Sequence, residues 1–125
     1  MSVLVDTSVL IDVLRGDDRA RRLLVHHRTL GPLNASEVSR AEVLAGMRPA
    51  EAATTQDLLD ALHWHAVDRE ISTLAGELAR QWLPSHRGID VADFLIAATA
   101  HRIGAELLTL NIRHFPMFTT LARPY

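Results

Sequence analysis

The chain has 125 residues, 48% hydrophobic and 22% charged, with a net charge of −2; this is the balance of one globular domain over residues 1–125, and it excludes a disordered tail or a strongly basic nucleic-acid coat. It contains no cysteine, which excludes disulfides, thiolate metal sites and a cysteine nucleophile. No apolar run approaches the roughly 20 residues that cross a bilayer, and the opening MSVLVDTSVLIDVLRG has acidic residues inside and no basic flank, so a cytoplasmic protein with no signal peptide and no membrane contact is expected.

Val3–Val5 is a short apolar run ending at Asp6 and predicts a buried parallel strand. Asp6-Thr7-Ser8 supplies capping side chains for a helix through Val9, Leu10, Val13 and Leu14, which Gly16 stops. Asp17 and Asp18 open a second helix over DDRARRLLVHH. Leu30–Leu33 is read as a second strand, weakened by Gly31-Pro32. Asn34 or Ser36 caps a helix carrying Val38, Ala41, Val43, Leu44 and Ala45, closed by Gly46. Pro49 starts a helix that runs to about Leu62, and His63–Val67 reads as a strand. From about Asp68 to Leu83 the spacing of Ile71, Leu74, Ala75, Leu78 and Trp82 predicts a helix, which Pro84 breaks. Gly88 and Asp90 lead into VADFLIAATAHRIG, a helix apolar on most of its surface and therefore central. Ala105–Leu110 predicts a strand, Asn111–Phe115 a short turn or helix, and Thr119–Ala122 a final strand. Strands alternating with helices predict the α/β class, with a mostly parallel central sheet and helices on both faces.

Three acidic residues stand out. Asp6 closes the first strand, where open α/β sheets place their ligand crevice. Glu42 lies in the middle of an amphipathic helix, and Asp93 is embedded in the apolar run Val91–Ala98. An unpaired carboxylate there is costly or shifts its pKa, and the nearest arginines along the chain are Arg87 and Arg102. A metal ion shared with other carboxylates satisfies it, and hard oxygen donors suit Mg²⁺ or Mn²⁺. Asp90, three residues earlier, is read either as a helix cap alone or as a cap that also contacts the metal. Singly, Asp6 also reads as a cap and Glu42 as a solvated position; the combination on strand end, helix and helix carries the weight.

With these residues in view, the sequence resembles the PIN-domain nucleases, and within them the VapC-type toxins of bacterial toxin–antitoxin systems. The resemblance rests on VLVDTSVLIDVLRG, SEVSRAEVLAGM, IDVADFLIAATA and LLTLNIRHF, in the family's order and over nearly the whole chain. It implies a compact α/β/α sandwich and a Mg²⁺- or Mn²⁺-dependent endoribonuclease acting on tRNA or ribosomal RNA. It also implies a homodimer and inhibition by a small cognate antitoxin. Carried over by motif, Asp6, Glu42 and Asp93 match the acidic metal-binding residues, and Ser8 matches a hydroxyl that supports the first aspartate. Asn111 stands where many members have a fourth aspartate and where VapC-like sequences often have asparagine, so one carboxylate of a second metal position is missing.

Arg15, Arg19, Arg22, Arg48, Arg87 and Arg113 are candidates to steer an RNA backbone, with Arg113 favoured because it neighbours Asn111. Two other functional classes compete. His63 and His65 share one strand face and raise a transition-metal site or a metal-independent, histidine-based ribonuclease; His114 is read as a packing or RNA-contact residue. A catalytically inactive PIN-like module that binds RNA or protein would have lost an acidic ligand, and none of the three is lost. An aspartyl-phosphate enzyme usually offers a lysine near its site, and this chain has no lysine.

Overall fold

The computed structural model describes residues 2–125. Four strands, β1 (Val3–Val5), β2 (Leu33–Ser36), β3 (His63–His65) and β4 (Glu106–Leu108), form one sheet in the order β3-β2-β1-β4. All three pairings are parallel, with Val3 opposite both Leu33 and Glu106. The connecting helices are α1 (Thr7–Leu14), α2 (Asp18–Leu30), α3 (Glu37–Ala45), α4 (Ala52–Asp60), α5 (Arg69–Trp82) and α6 (Val91–Ile103). Short 3-10 turns at Pro49–Glu51 and Ile112–His114 complete the described elements. No helix among the described residues is long and apolar enough to cross a membrane.

Strand alternation divides the core between the two faces of the sheet. Val3, Val5, Leu33, Ala35 and Leu108 pack with Val9, Leu10, Leu24, Val43 and Leu59 from the helices of one face. Leu4 and Leu107 point the other way and pack with Ile96, Ala97, Ala100 and Phe115. Helix α6 is apolar on most sides because a third cluster, Ile71, Ala75, Ile89, Phe94 and Ala98, joins its outer surface to α5.

Local chemistry sets the helix boundaries. Asp6, Asp17, Ser36, Asp68 and Asp90 are N-caps whose side chains accept first-turn N–H groups. Gly104 ends α6 at φ 64°, a left-handed position that favours glycine.

The structure corrects several of these expectations. The strand expected at Leu30–Leu33 begins at Leu33, because α2 continues through Leu30. Proline has no N–H to give, and β2 is hydrogen-bonded on both sides, so the strand starts only after Pro32. Asn34 is a strand residue and Ser36 alone caps α3. Thr119–Ala122 is not a strand: Phe118 and Leu121 pack, partly buried, against the Leu4–Phe115 core from a loop, without a ladder partner. The helix expected from Pro49 opens as a 3-10 turn before α4, and the strands at His63 and Ala105 are shorter than expected.

Phe115 is fully buried and follows directly on the Ile112–His114 turn. Phe115→Ala should therefore cost about 3–5 kcal/mol of stability. Urea denaturation followed by circular dichroism measures it; a loss under 1 kcal/mol (roughly an exposed-site effect) would contradict the packing.

Candidate active site

The chain fills the sheet outward from β1 to β3 and then returns to β1's other side with β4. Strand order therefore reverses beside β1, and a crevice opens at the carboxyl ends of β1 and β4. Asp6 is the first residue past β1, and its N–H donates to the Leu108 carbonyl at 2.9 Å. A cleft of about 360 Å³ opens here, lined by Asp6, Thr7, Ser8, Ile11, Asp12, Arg15, Glu42, Asp93, Leu110 and Asn111.

Asp6 is 2% exposed, and its Oδ2 collects the hydroxyls of Ser8 and Thr109, each donating at 2.7 Å, with the Ser8 N–H at 3.4 Å. The same hydroxyl oxygens accept from the next loop: Leu110 N–H reaches Ser8 Oγ at 3.1 Å and Asn111 N–H reaches Thr109 Oγ1 at 2.9 Å. One carboxylate thus ties the start of α1 to the segment after β4.

Glu42 lies on α3 and is held from α1: the Thr7 hydroxyl donates to Glu42 Oε1 at 2.7 Å and hydrogen-bonds with Ser39 Oγ at 2.8 Å. Asp93 lies in the first turn of α6, and His114 Nδ1 sits 3.0 Å from its Oδ2. Burial pushes the Asp93 carboxyl up to about 6, helped by the charges of Asp90, Asp6 and Glu42 and opposed by His114.

The three carboxylates expected to hold a metal therefore line one cleft from three elements. Asp6 and Glu42 each accept hydrogen bonds on one oxygen and Asp93 Oδ2 lies near His114; among the described residues the other oxygen of each makes no hydrogen bond. As placed, no three Asp, Glu or His side chains among the described residues form a group that could hold a metal ion; the three acids stand apart along the cleft wall. The donor set, carboxylate oxygens with free lone pairs and mutual repulsion, fits a hard divalent cation.

Asp90 does not line the cleft; its Oδ1 accepts the Asp93 N–H at 3.3 Å, which makes it a cap that also bears on Asp93 by charge. Ser8 and Asn111 line the cleft, whereas Arg113 is exposed and outside its wall. The histidine pair at His63 and His65 lies on the edge strand, rings 4.8 Å apart, and belongs to no metal-binding group among the described residues. His65 Nε2 instead meets Asn34 Oδ1 at 2.8 Å.

Sequence reasoning missed Thr7 and Thr109 and gave His114 a different role. The signal for the threonines is position: each is a hydroxyl residue within two places of a parallel strand's carboxyl end, one of them buried to 1% exposure.

Two outcomes follow from these contacts. Thr109→Val removes a hydroxyl from a buried carboxylate and should lower stability by about 1.5–3 kcal/mol in denaturant titration; an unchanged midpoint would show the bond to be idle. Asp93 has a raised pKa, so between pH 4 (roughly the unfolded value) and about 6 the folded protein binds more protons than the unfolded chain. Stability in chelator should then fall as pH rises through that window and level off above it. Asp93→Asn should flatten this part of the profile in thermal melts; an unchanged slope would rule out Asp93 as its source.

Comparisons with known proteins identify the family. A PIN-domain family model matches residues 3–117. Ribonuclease VapC19 of Mycobacterium tuberculosis is 46% identical over 123 residues, covering 98% of each chain. Ribonuclease VapC10 of the same species is 44% identical over 123 residues, covering 98% of this chain and 92% of its own. Among solved structures, a toxin–antitoxin complex from Klebsiella pneumoniae matches with a TM-score of 0.81 at 23% identity, over 99% of this chain and 98% of that one. VapBC2 from Rickettsia felis, bound to a DNA fragment from its promoter, matches with a TM-score of 0.77 at 23% identity, over 98% and 97% of the two chains. At such identities the structures bear on the fold, while the family match and the curated relatives span nearly the whole sequence. The chain therefore belongs to the PIN-domain family, in its VapC branch.

Proposed function

We propose that residues 1–125 act as one Mg²⁺- or Mn²⁺-dependent endoribonuclease, the toxin of a toxin–antitoxin pair, which cuts tRNA or ribosomal RNA in the cytoplasm and so inhibits translation. The observation that supports this reading is the single cleft lined by Asp6, Glu42 and Asp93, each with at least one oxygen that makes no protein hydrogen bond among the described residues. The ribonuclease names of the curated relatives point to the same chemistry.

Asp6, Glu42 and Asp93 are the residues that hold the ion. When bound, it supplies an activated water near neutral pH and positive charge for the scissile phosphate. The remaining side chains prepare that arrangement. Ser8 and Thr109 fix the Asp6 carboxylate, Thr7 fixes Glu42, and His114 lies against Asp93. Asn111, at the cleft wall, offers an amide to the substrate, and the exposed Arg113 meets the RNA backbone outside it. The excess of carboxylates also makes the cleft a receptor for a cationic side chain. A cognate antitoxin inhibits by bringing arginine or lysine to Asp6, Glu42 or Asp93, and the toxin works as a homodimer.

The test is cleavage of bulk tRNA and ribosomal RNA with Mg²⁺ or Mn²⁺, and again in chelator. Asp6→Asn, Glu42→Gln and Asp93→Asn should each cost about a hundredfold or more in rate, since even outer-shell partners of a metal cost about 10- to 100-fold. Products should carry 5′-phosphate and 3′-hydroxyl ends, because the attacking oxygen comes from water and not from the RNA 2′-hydroxyl. Full activity in chelator, or 2′,3′-cyclic phosphate ends, would overturn the mechanism in favour of histidine-based chemistry. RNA binding without cleavage under any metal would favour the inactive binding module.

A further inference from the structure

The residues of α1 that line the cleft are Thr7, Ser8, Ile11 and Asp12, with Arg15 at the helix C-cap. Asp12 and Arg15 stand three apart, a spacing at which opposite charges on a helix normally pair. Here they do not. Asp12 Oδ2 accepts the Tyr125 hydroxyl at 2.7 Å, and Arg15 makes no ion pair or side-chain hydrogen bond among the described residues. Tyr125 is itself held in place. The Arg19 guanidinium lies over its ring, 5.3 Å from the centroid, and Arg19 Nη2 is paired with Asp17 Oδ2 at 2.9 Å. Burial, and then the bond to Asp12, push the Tyr125 hydroxyl well above its usual range, so it remains a proton donor.

Arg15 is consequently the one cationic side chain lining the cleft among the described residues, and it is exposed and uncommitted. Arg19 is taken up by Asp17, and Arg48, which lines a neighbouring pocket with Arg15 and Glu42, is not part of this cleft's wall. An arginine fork standing beside carboxylates without pairing to them is suited to a phosphate arriving at the same cleft.

We propose that Arg15 is the phosphate-binding residue of the cleft for the RNA strand, and that Tyr125 is a positioning residue that engages Asp12 and so keeps it from neutralising Arg15. The inference rests on the ribonuclease reading above and adds to it, besides Arg113 outside the cleft, a residue of the cleft wall that receives a phosphate.

The experiment uses the full chain carrying Glu42→Gln, which binds without cutting, and a fluorescein-labelled single-stranded oligouridylate in Mg²⁺. Anisotropy gives the affinity across a series of KCl concentrations. Arg15→Ala should weaken binding about tenfold, the worth of one charge-assisted phosphate contact. It should also lower the slope of log affinity against log salt by about 0.7, one phosphate's share on a single strand. Tyr125→Phe keeps the ring and should weaken binding about twofold, the strength of a three-apart helix pair. Adding Asp12→Asn to Tyr125→Phe should restore binding, and adding Tyr125→Phe to Arg15→Ala should change nothing further. A purely structural role for Tyr125 would not be rescued by Asp12→Asn, so failure of that rescue overturns the positioning role. An Arg15→Ala protein with unchanged affinity and salt slope overturns the phosphate assignment. If the Glu42→Gln parent itself does not bind RNA while those of its variants fold normally, the ribonuclease reading falls and this inference with it.

Discussion

The buried Asp6 carboxylate is the point on which the rest of the site depends. A charge at 2% exposure is tolerable only with good partners, and this one receives two hydroxyls and an N–H on a single oxygen. Those hydroxyls then accept from Leu110 and Asn111, so the bonds that stabilise the charge also place the loop after β4. The arrangement requires β4 to lie against β1, which the return of the chain to β1's far side provides. Topology and electrostatics are thus one constraint: the sheet brings residues 6 and 109 together, and the carboxylate holds them there.

Around Asp6 the cleft has an excess of negative charge. Asp12, Glu42 and Asp93 share its wall, against Arg15 alone among cationic side chains of the described residues. The protein manages each acid differently. Thr7 hydrogen-bonds Glu42, Tyr125 hydrogen-bonds Asp12, and His114 lies against Asp93. None of these partners is a permanent cation, and burial, together with the neighbouring acids, raises the Asp93 carboxyl to about 6. A site built this way is set for a positive ligand, whether a divalent ion or the side chain of an inhibitory partner.

The helices contribute mainly by where they start. Asp6 caps α1 while facing the cleft, and Asp90 caps α6 while its charge raises Asp93. Capping and function therefore draw on the same residues, and a carboxylate near a helix N-terminus is favoured on both counts. Helix α6 can carry Asp93 at one end because its remaining length is packed between the sheet and α5 and holds that end in place.

By itself the sequence determined the alternation of strands and helices, the caps, and the three acids of the cleft, because these are local signals: an apolar run ending in aspartate, a 3.6-residue spacing, a charge inside an apolar helix. It placed the helices well and the strands less well. A strand exists only through its neighbours, which is why β2 begins past Pro32 and why Thr119–Ala122, with suitable residues but no ladder partner, stays a loop. Only the tertiary structure decided which acids line the cleft, since Asp90 and Asp93 are three residues apart and only Asp93 lines the wall. It also decided the long-range partners: Thr109 reaches Asp6 across 103 positions and Tyr125 reaches Asp12 across 113. Such contacts carry no local periodicity; they arise when chain segments distant in sequence are brought to the same end of the sheet, and their geometry is set by packing.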